Sequence, residues 1–129
     1  MADALLDTSI LIDALRDYPP AAQWFEENTV PVGITWFVWL EVIAGCRNKQ
    51  QQHHAITFLN DFELVAIEDA DAQWATKKLI ELHLKSNVDM IDCLIAAPSH
   101  RLQIPTYTRN LKHFTPLLDE LAVLPYSLE

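Results

Sequence analysis

Three carboxylate residues interrupt apolar stretches of this 129-residue sequence: Asp7 follows ALL, Glu41 lies in WFVWLEVIAG, and Asp92 lies in VDMIDCLIAA. A carboxylate in apolar surroundings is costly unless it is paired or bound. Carboxylates that converge repel one another, raise one another's pKa and need a counter-charge. No basic residue lies beside any of the three in sequence, so a divalent metal ion is the natural counter-ion. An all-oxygen site suits magnesium or manganese better than zinc.

Each acid also has an ordinary structural explanation. Asp7, between a strand and a helix, fits an N-cap. Glu41 could pair with a nearby arginine, and Asp92 could interact favourably with the dipole at the start of its helix. Asp89 lies on the same helical face as Asp92 and completes a loose capping box with Ser86, which favours a capping role for Asp89 over a ligand role. The acids alone therefore leave structure and function open.

Short apolar strands that alternate with helices must position these acids. Strands are predicted at 4–6, 30–35, 63–67 and 104–108, with a short fifth at 121–124. Helices are predicted at 10–15, 21–27, 36–45, 48–60, 69–85 and 88–102. Connections of this length predict a parallel central sheet of four to five strands in a three-layer α/β/α sandwich, as one domain over residues 1–129. Ligands of such sheets bind beyond the carboxyl ends of the strands, which is where Asp7 is expected.

The composition excludes several classes of protein. Eighteen acidic and nine basic residues give a net charge of −9, which argues against a general nucleic-acid binder with a basic stripe. An acidic chain can still act on phosphates when metal ions or a basic partner offset its charge. Only two glycines occur, which excludes glycine-rich phosphate loops.

Cys46 and Cys93 are expected to be buried free thiols. Neither a signal peptide nor a membrane span is predicted, so we expect a cytoplasmic protein.

Four segments, in order along the chain, resemble the motifs of the PIN domain. They are LLDTSILID, the stretch 35–41 leading into LEVIAG, IDCLIAA and YTRNLKHF. The similarity covers nearly the whole chain and is closest to the VapC-like toxins of bacterial toxin–antitoxin pairs. It implies cleavage of RNA that depends on Mg2+ or Mn2+, a homodimer, and inhibition by a VapB-like antitoxin.

The resemblance also implies roles for single residues. The first, second and third acids of the family, which hold the metal and carry catalysis, are matched by Asp7, Glu41 and Asp92. Thr108 and Asn110 match the hydroxyl and polar positions of the last motif. The chain departs from the pattern there, because Asn110 and His113 occupy positions where members of the family carry a fourth acid. That departure leaves a second metal ion and full activity open. Pro98 also departs from the pattern, and it predicts a kink in the helix beyond Asp92.

Other polar residues near these motifs could each have a functional or a purely structural role. Thr8 and Ser9 could orient Asp7 by hydrogen bonding or cap the following helix. Arg109 could hold RNA phosphates or be a solvated surface charge. His113 is the only histidine beside a motif of the candidate site.

The sequence therefore predicts a metal-dependent endoribonuclease, the toxin of a VapBC-type pair. The alternative is a PIN-like module that binds RNA or a partner with weak or no nuclease activity, because the fourth acid is missing. A haloacid-dehalogenase-type phosphatase is disfavoured, since it needs a second aspartate two residues after the first, where Ser9 stands. A receiver domain needs its aspartate at the end of the third strand, and the acids of VAIEDAD lie beyond that strand.

Overall fold

The computed structural model describes residues 1–128 and has an α/β fold, with five parallel strands flanked by helices. The strands are β1 (Ala4–Leu6), β2 (Val32–Ile34), β3 (Glu63–Leu64), β4 (Thr106–Tyr107) and β5 (Ala122–Val123). The helices are α1 (Thr8–Leu15), α2 (Pro19–Glu27), α3 (Trp36–Ala44), α4 (Lys49–Leu59), α5 (Asp69–Leu82), α6 (Met90–Leu102) and α7 (Leu111–Leu118). The predicted three-layer sandwich with a parallel sheet is confirmed.

The order of the strands creates a crevice at one point of the sheet. The strands lie in the order β3-β2-β1-β4-β5, and every neighbouring pair is parallel. From β1 the chain proceeds outward to β2 and β3, whereas from β4 it proceeds to β5 on the other side. In open parallel sheets, ligands bind where the connections of two adjacent strands diverge in this way. Here that point lies beyond the carboxyl ends of β1 and β4.

Burial explains why these short strands form. All three residues of β1 are buried, as the apolar run ALL predicted, and β1 lies in the middle of the sheet. The main core packs residues from β1, α1, α3, α6 and α7 together, including Leu6, Ile10, Val38, Ile95 and Phe114. The two helices that begin beside the crevice, α1 and α6, are therefore anchored by their apolar faces, which fixes the positions of the polar residues at their first turns.

Some element boundaries differ from the sequence predictions. Four of the five strands are shorter than predicted, and α7 was not predicted at all. Helix α6 starts at Met90, and its capping box is formed by Asp89 and Asp92 rather than by Ser86 and Asp89. The helix continues through the buried Pro98 to Leu102. Across residues 1–128, no helix combines the length and apolar character needed to cross a membrane.

Candidate active site

Asp7 occupies the crevice at the end of β1. Its residue surface is 4% exposed, and although it is the N-cap residue of α1 it forms no side-chain capping hydrogen bond. Instead, Oδ2 accepts one hydrogen bond from the hydroxyl of Ser9 and one from the hydroxyl of Thr108, each at 2.8 Å. Ser9 lies in the first turn of α1, and Thr108 directly follows β4. The carboxylate of Asp7 therefore links the ends of the two diverging strands, which a capping role alone does not explain.

The two hydroxyls have a fixed direction of donation. Ser9 Oγ accepts the backbone N–H of Arg109 at 3.2 Å, and Thr108 Oγ1 accepts the backbone N–H of Asn110 at 2.9 Å. A hydroxyl has one proton, and a backbone N–H can only donate, so each hydroxyl proton is given to Asp7. Neither hydroxyl contacts Oδ1, which is the oxygen that remains for a proton or a cation.

Burial raises the pKa of Asp7 above its ordinary value of 3.8, because the charged form loses hydration. The hydroxyls of Ser9 and Thr108 lower the pKa, as do the amides of Thr8 and Ser9, but these effects are smaller than that of burial. The site therefore holds a carboxylate whose charge is only partly compensated by neutral donors.

Asp92 is the second carboxylate of the crevice. It lies in the first turn of α6, where its backbone N–H donates to Asp89 Oδ1 at 2.9 Å, and its side chain is largely buried. Burial first, then the charge of Asp89 and to a smaller extent that of Asp7, raise the pKa of Asp92 to about 6. His113 Nδ1 lies 3.3 Å from Asp92 Oδ2 and acts in the opposite direction. Asp7 is thus close enough to Asp92 to contribute to its raised pKa.

Glu41 is more exposed than its apolar neighbours in the sequence suggested. Its side chain is exposed, because one face of α3 points away from the core even though that face is apolar. Its partner is the hydroxyl of Thr8, which donates to Oε1 at 2.7 Å, rather than an arginine. Thr8 directly follows Asp7, so this bond holds Glu41 beside the exit of β1. Of the two hydroxyls expected to orient Asp7, only that of Ser9 does so.

The remaining sequence candidates lie around these acids. Asp89 is the N-cap of α6, as predicted, and Asn110 is exposed and contributes its backbone N–H. The guanidinium of Arg109 binds the buried carboxylate of Asp13. Asp13 was missed by the sequence analysis, although it interrupts the apolar run LIDAL in the same way that Asp7, Glu41 and Asp92 interrupt theirs.

The donors in the crevice fit a hard divalent cation. Within residues 1–128 there is no group of three or more acidic, histidine or cysteine side chains arranged to hold a metal ion. Mg2+, however, is commonly bound through one or two carboxylates and completes its coordination with water and substrate phosphate. Asp7 and Asp92 supply two such carboxylates; burial raises the pKa of both, and neighbouring carboxylates add to the rise at Asp92. The pair therefore suits a partly hydrated magnesium or manganese ion.

The PIN-domain family model matches residues 4–114, and the chain belongs to this family. No curated protein shows significant sequence similarity to the chain. The matched range includes all three acids and the segment that carries Thr108 and Asn110.

Solved structures of toxin–antitoxin proteins share the fold. A chain from a toxin–antitoxin complex of Klebsiella pneumoniae is 26% identical, with a TM-score of 0.77 over 97% of this chain and 99% of that one. A chain of FitAcB from Neisseria gonorrhoeae is 18% identical, with a TM-score of 0.76 over 97% and 99%. A chain of DNA-bound VapBC from Salmonella typhimurium is 22% identical, with a TM-score of 0.72 over 88% and 91%. The chain therefore shares the fold of these toxin–antitoxin proteins over nearly its whole length.

Proposed function

We propose that this protein is an endoribonuclease that depends on Mg2+ or Mn2+ and serves as the toxin of a VapBC-type pair. The observation that carries the proposal is that two partly or fully buried carboxylates with raised pKa values lie close together, Asp7 at the end of β1 and Asp92 in the first turn of α6. Structural ion pairs are normally complemented by an arginine or lysine, whereas the group nearest Asp92 here is His113. Two incompletely compensated carboxylates in a crevice are typical of a functional site.

Each residue of the crevice would have its own role in phosphodiester hydrolysis. Bound there, a divalent ion would supply an activated water and would neutralise charge on the phosphate. Asp7 and Asp92 would hold the ion, while Ser9 and Thr108 fix the orientation of Asp7. Glu41, exposed and held by Thr8, is placed to accept a proton from water or to bind the ion through a water molecule. His113 would limit the repulsion between the acids when no ion is bound.

Cleavage of a panel of single-stranded RNAs tests the proposal. We expect turnover with Mg2+ or Mn2+, none with excess chelator, and none for Asp7→Asn under either condition. Undiminished cleavage in chelator would contradict metal dependence. Binding of RNA without turnover at any metal concentration would instead support the PIN-like binding module, for which the absence of a fourth acid at Asn110 and His113 is the favouring observation.

The binding surface that we propose for the antitoxin is a groove between α1, α3 and α4. The groove has a volume of about 560 Å3, and Asp7, Glu41 and Asp92 are not among its lining residues. Its lining includes the apolar side chains Ile12, Leu15 and Val42 together with the cations Arg16 and Arg47. In a chain of net charge −9, basic residues around an apolar groove favour an apolar segment flanked by acidic residues. Of the solved structures named above, one is by its title a toxin–antitoxin complex and another is DNA-bound VapBC.

Co-purification with the product of the adjacent reading frame tests this partner. Replacing Arg16 and Arg47 with Glu should weaken the complex, because the electrostatic complementarity at the groove is reversed. Lys77→Glu on α5 is the matched control, since it makes the same kind of charge change outside this groove, and we expect it to leave the complex intact. Equal retention of the partner by both variants would show that the groove is not its binding surface.

A further inference from the structure

A second polar cluster lies behind the acidic crevice. The carboxylate of Asp13 on α1 is 7% exposed and accepts hydrogen bonds from the guanidinium of Arg109 and from the hydroxyl of Tyr126, the latter at 2.8 Å. The guanidinium of Arg109 also lies 5.6 Å from the ring centre of Tyr18. The cluster therefore joins α1, the loop between β4 and α7, and the segment that follows β5.

This cluster is continuous with the hydroxyl pair that binds Asp7. Arg109 separates Thr108 from Asn110, and its own backbone N–H donates to Ser9 Oγ. The side chain of Arg109 thus anchors the loop to α1 at Asp13, while the main chain of the same loop directs both hydroxyl protons towards Asp7.

Moving the guanidinium of Arg109 away from Asp13 would be costly. If it moved to an RNA phosphate, the buried carboxylate of Asp13 would keep only the hydroxyl of Tyr126 as a donor. Leaving a buried charge without its ionic partner is strongly destabilising. The pairing with Asp13 gives Arg109 a structural role that the sequence did not predict. An RNA contact stays a prediction, because the side chain is 37% exposed and it is Nη1 that binds Asp13.

We propose that Arg109 is a positioning residue of the metal site: by pairing with Asp13 it holds the loop that orients Asp7 through Ser9 and Thr108. The inference rests on the proposed metal-dependent function, because its effect is on the ability of Asp7 to bind a cation. Residues that orient a metal ligand from behind typically change metal affinity by about 10- to 100-fold when they are replaced.

Binding of Mn2+ alone, followed by electron paramagnetic resonance, tests the role without RNA. We expect Arg109→Gln to weaken Mn2+ binding about tenfold, and Arg109→Lys to restore most of the affinity, because lysine keeps a charge that can pair with Asp13. Arg101→Gln is the matched control, since Arg101 also pairs with a buried aspartate, Asp71, outside the crevice. Both glutamine variants should lower the melting temperature, but only Arg109→Gln should lower Mn2+ affinity.

RNA kinetics then separate positioning from substrate contact. For Arg109→Gln we expect kcat at a fixed, subsaturating Mn2+ concentration to fall and KM for RNA to stay near the wild-type value. A raised KM with unchanged Mn2+ affinity would overturn the proposal in favour of a phosphate contact, and equal loss of Mn2+ affinity in Arg101→Gln would overturn it in favour of general destabilisation.

A milder variant covers the case in which Arg109→Gln does not fold. Tyr126→Phe removes one donor to Asp13 and leaves the Arg109–Asp13 pair in place, so we expect a smaller loss of Mn2+ affinity in the same direction. Unchanged affinity in a folded Arg109→Gln, or in Tyr126→Phe when the first variant does not fold, would overturn the inference. Failure of the wild type to bind Mn2+ would instead contradict the proposed function itself.

Discussion

The hydroxyl of Thr108 donates to Asp7 Oδ2 at 2.8 Å, although the two residues are 101 positions apart in the sequence. Asp7 directly follows β1, and Thr108 directly follows β4. These are the two adjacent strands whose connections diverge. The bond shows how the topology of the sheet builds the crevice, because residues at the ends of neighbouring parallel strands meet at one side of the sheet. The hydrogen bond from Thr108 also favours the charged form of the buried Asp7 carboxylate.

Thr108→Val should destabilise the protein by about 1–3 kcal/mol at pH 7, because a buried carboxylate loses a charged hydrogen bond and the Asn110 N–H loses its acceptor. Mn2+ binding should weaken about tenfold, and Thr108→Ser should retain both properties. Urea denaturation and Mn2+ titration measure the two effects.

Thr106→Val is the control for that substitution. Thr106 lies two residues earlier, is equally buried, and its hydroxyl has no hydrogen-bond partner within residues 1–128. Replacing an unpaired buried hydroxyl by a methyl group of the same shape should leave stability unchanged or raise it. A loss of stability in Thr106→Val as large as that in Thr108→Val would show that the bond to Asp7 is not the cause.

Asp92→Asn should abolish RNA cleavage and stabilise the metal-free protein at pH 7.5. The fold raises the pKa of Asp92 from 3.8 to about 6, so folding favours the protonated form. The wild type therefore loses stability as the pH rises from about 4 to above 6, whereas the asparagine variant lacks this loss. We expect an advantage of about 1–2 kcal/mol at pH 7.5, below the full effect of the shift because asparagine also loses the pairing with His113. Urea denaturation at pH 5 and 7.5 measures it.

Asp89→Asn is the matched control for Asp92. Asparagine is as good an N-cap as aspartate, so helix α6 should keep its start. Because the charge of Asp89 is the second cause of the raised pKa of Asp92, its removal should lower that pKa while cleavage continues. Loss of cleavage in Asp89→Asn with an intact fold would assign Asp89 a direct role in the reaction.

Glu41→Gln should reduce kcat by about 100-fold and change stability by less than about 0.5 kcal/mol, because the side chain is exposed. Thr8→Val should cause a smaller loss, because Glu41 remains but loses the hydroxyl that holds it. Thr8→Ser keeps the hydroxyl and is the matched control. RNA cleavage rates at saturating Mn2+ measure the series, and a Glu41→Gln variant as active as the wild type would exclude Glu41 from the site.

The sequence predicted the layers of the fold because buried strands and helices have recognisable local patterns of apolar residues, such as the apolar run ALL of β1. It did not predict α7, whose sequence LKHFTPLL contains Pro116 and reads as a helix only once Phe114, Leu117 and Leu118 are seen to be buried. It predicted one site for Asp7 and Asp92 from the expected strand ends and the family resemblance, and the effect of Asp7 on the pKa of Asp92 agrees with that prediction. The exposure of Glu41 did not follow from its apolar neighbours, because an exposed helix face that is itself apolar has the same sequence pattern as a buried one.

Hydrogen-bond and ion-pair partners that are far apart in the chain could not be predicted from the sequence. The pairing of Arg109 with Asp13 connects an ordinary cation in a loop with an acid on α1, and no spacing rule links two such positions. The acceptors of Ser9 and Thr8 were likewise ambiguous, since adjacent hydroxyls at a helix start can cap the helix or reach neighbouring elements. Ser9 binds Asp7, and Thr8 binds Glu41 on another helix.

The exposed apolar face of α3 predicts the surface of the homodimer. Trp36 and Leu40 lie one turn apart and are 57% and 63% exposed. Leu40→Glu should convert a dimer into a monomer in light scattering at micromolar concentration, because burying the introduced charge is costly. Leu102→Glu, an exposed leucine on α6, is the control and should leave the dimer intact. A wild-type monomer under these conditions would contradict the predicted dimer.

Binding of Mn2+ should become weaker as the pH falls below 6. A metal ion binds the deprotonated carboxylate, so protons compete with it at Asp92, whose pKa is raised to about 6, and at Asp7, whose pKa is also raised. Competition at Asp92 alone should lower the apparent affinity by about tenfold between pH 7.5 and pH 5, and binding near pH 6 should release protons. Isothermal titration in two buffers with different ionisation enthalpies measures the protons released.

Asp92→Asn provides the control for this pH dependence. The variant should bind Mn2+ weakly at every pH and show a smaller loss of affinity on acidification, because Asp7 is then the only titrating carboxylate of the pair. A wild-type affinity that stays constant between pH 5 and pH 7.5 would show that neither carboxylate takes up a proton in this range in the metal-free protein. The crevice would then already contain a sufficient counter-charge, and the argument for a metal ion from the raised pKa values of Asp7 and Asp92 would fail.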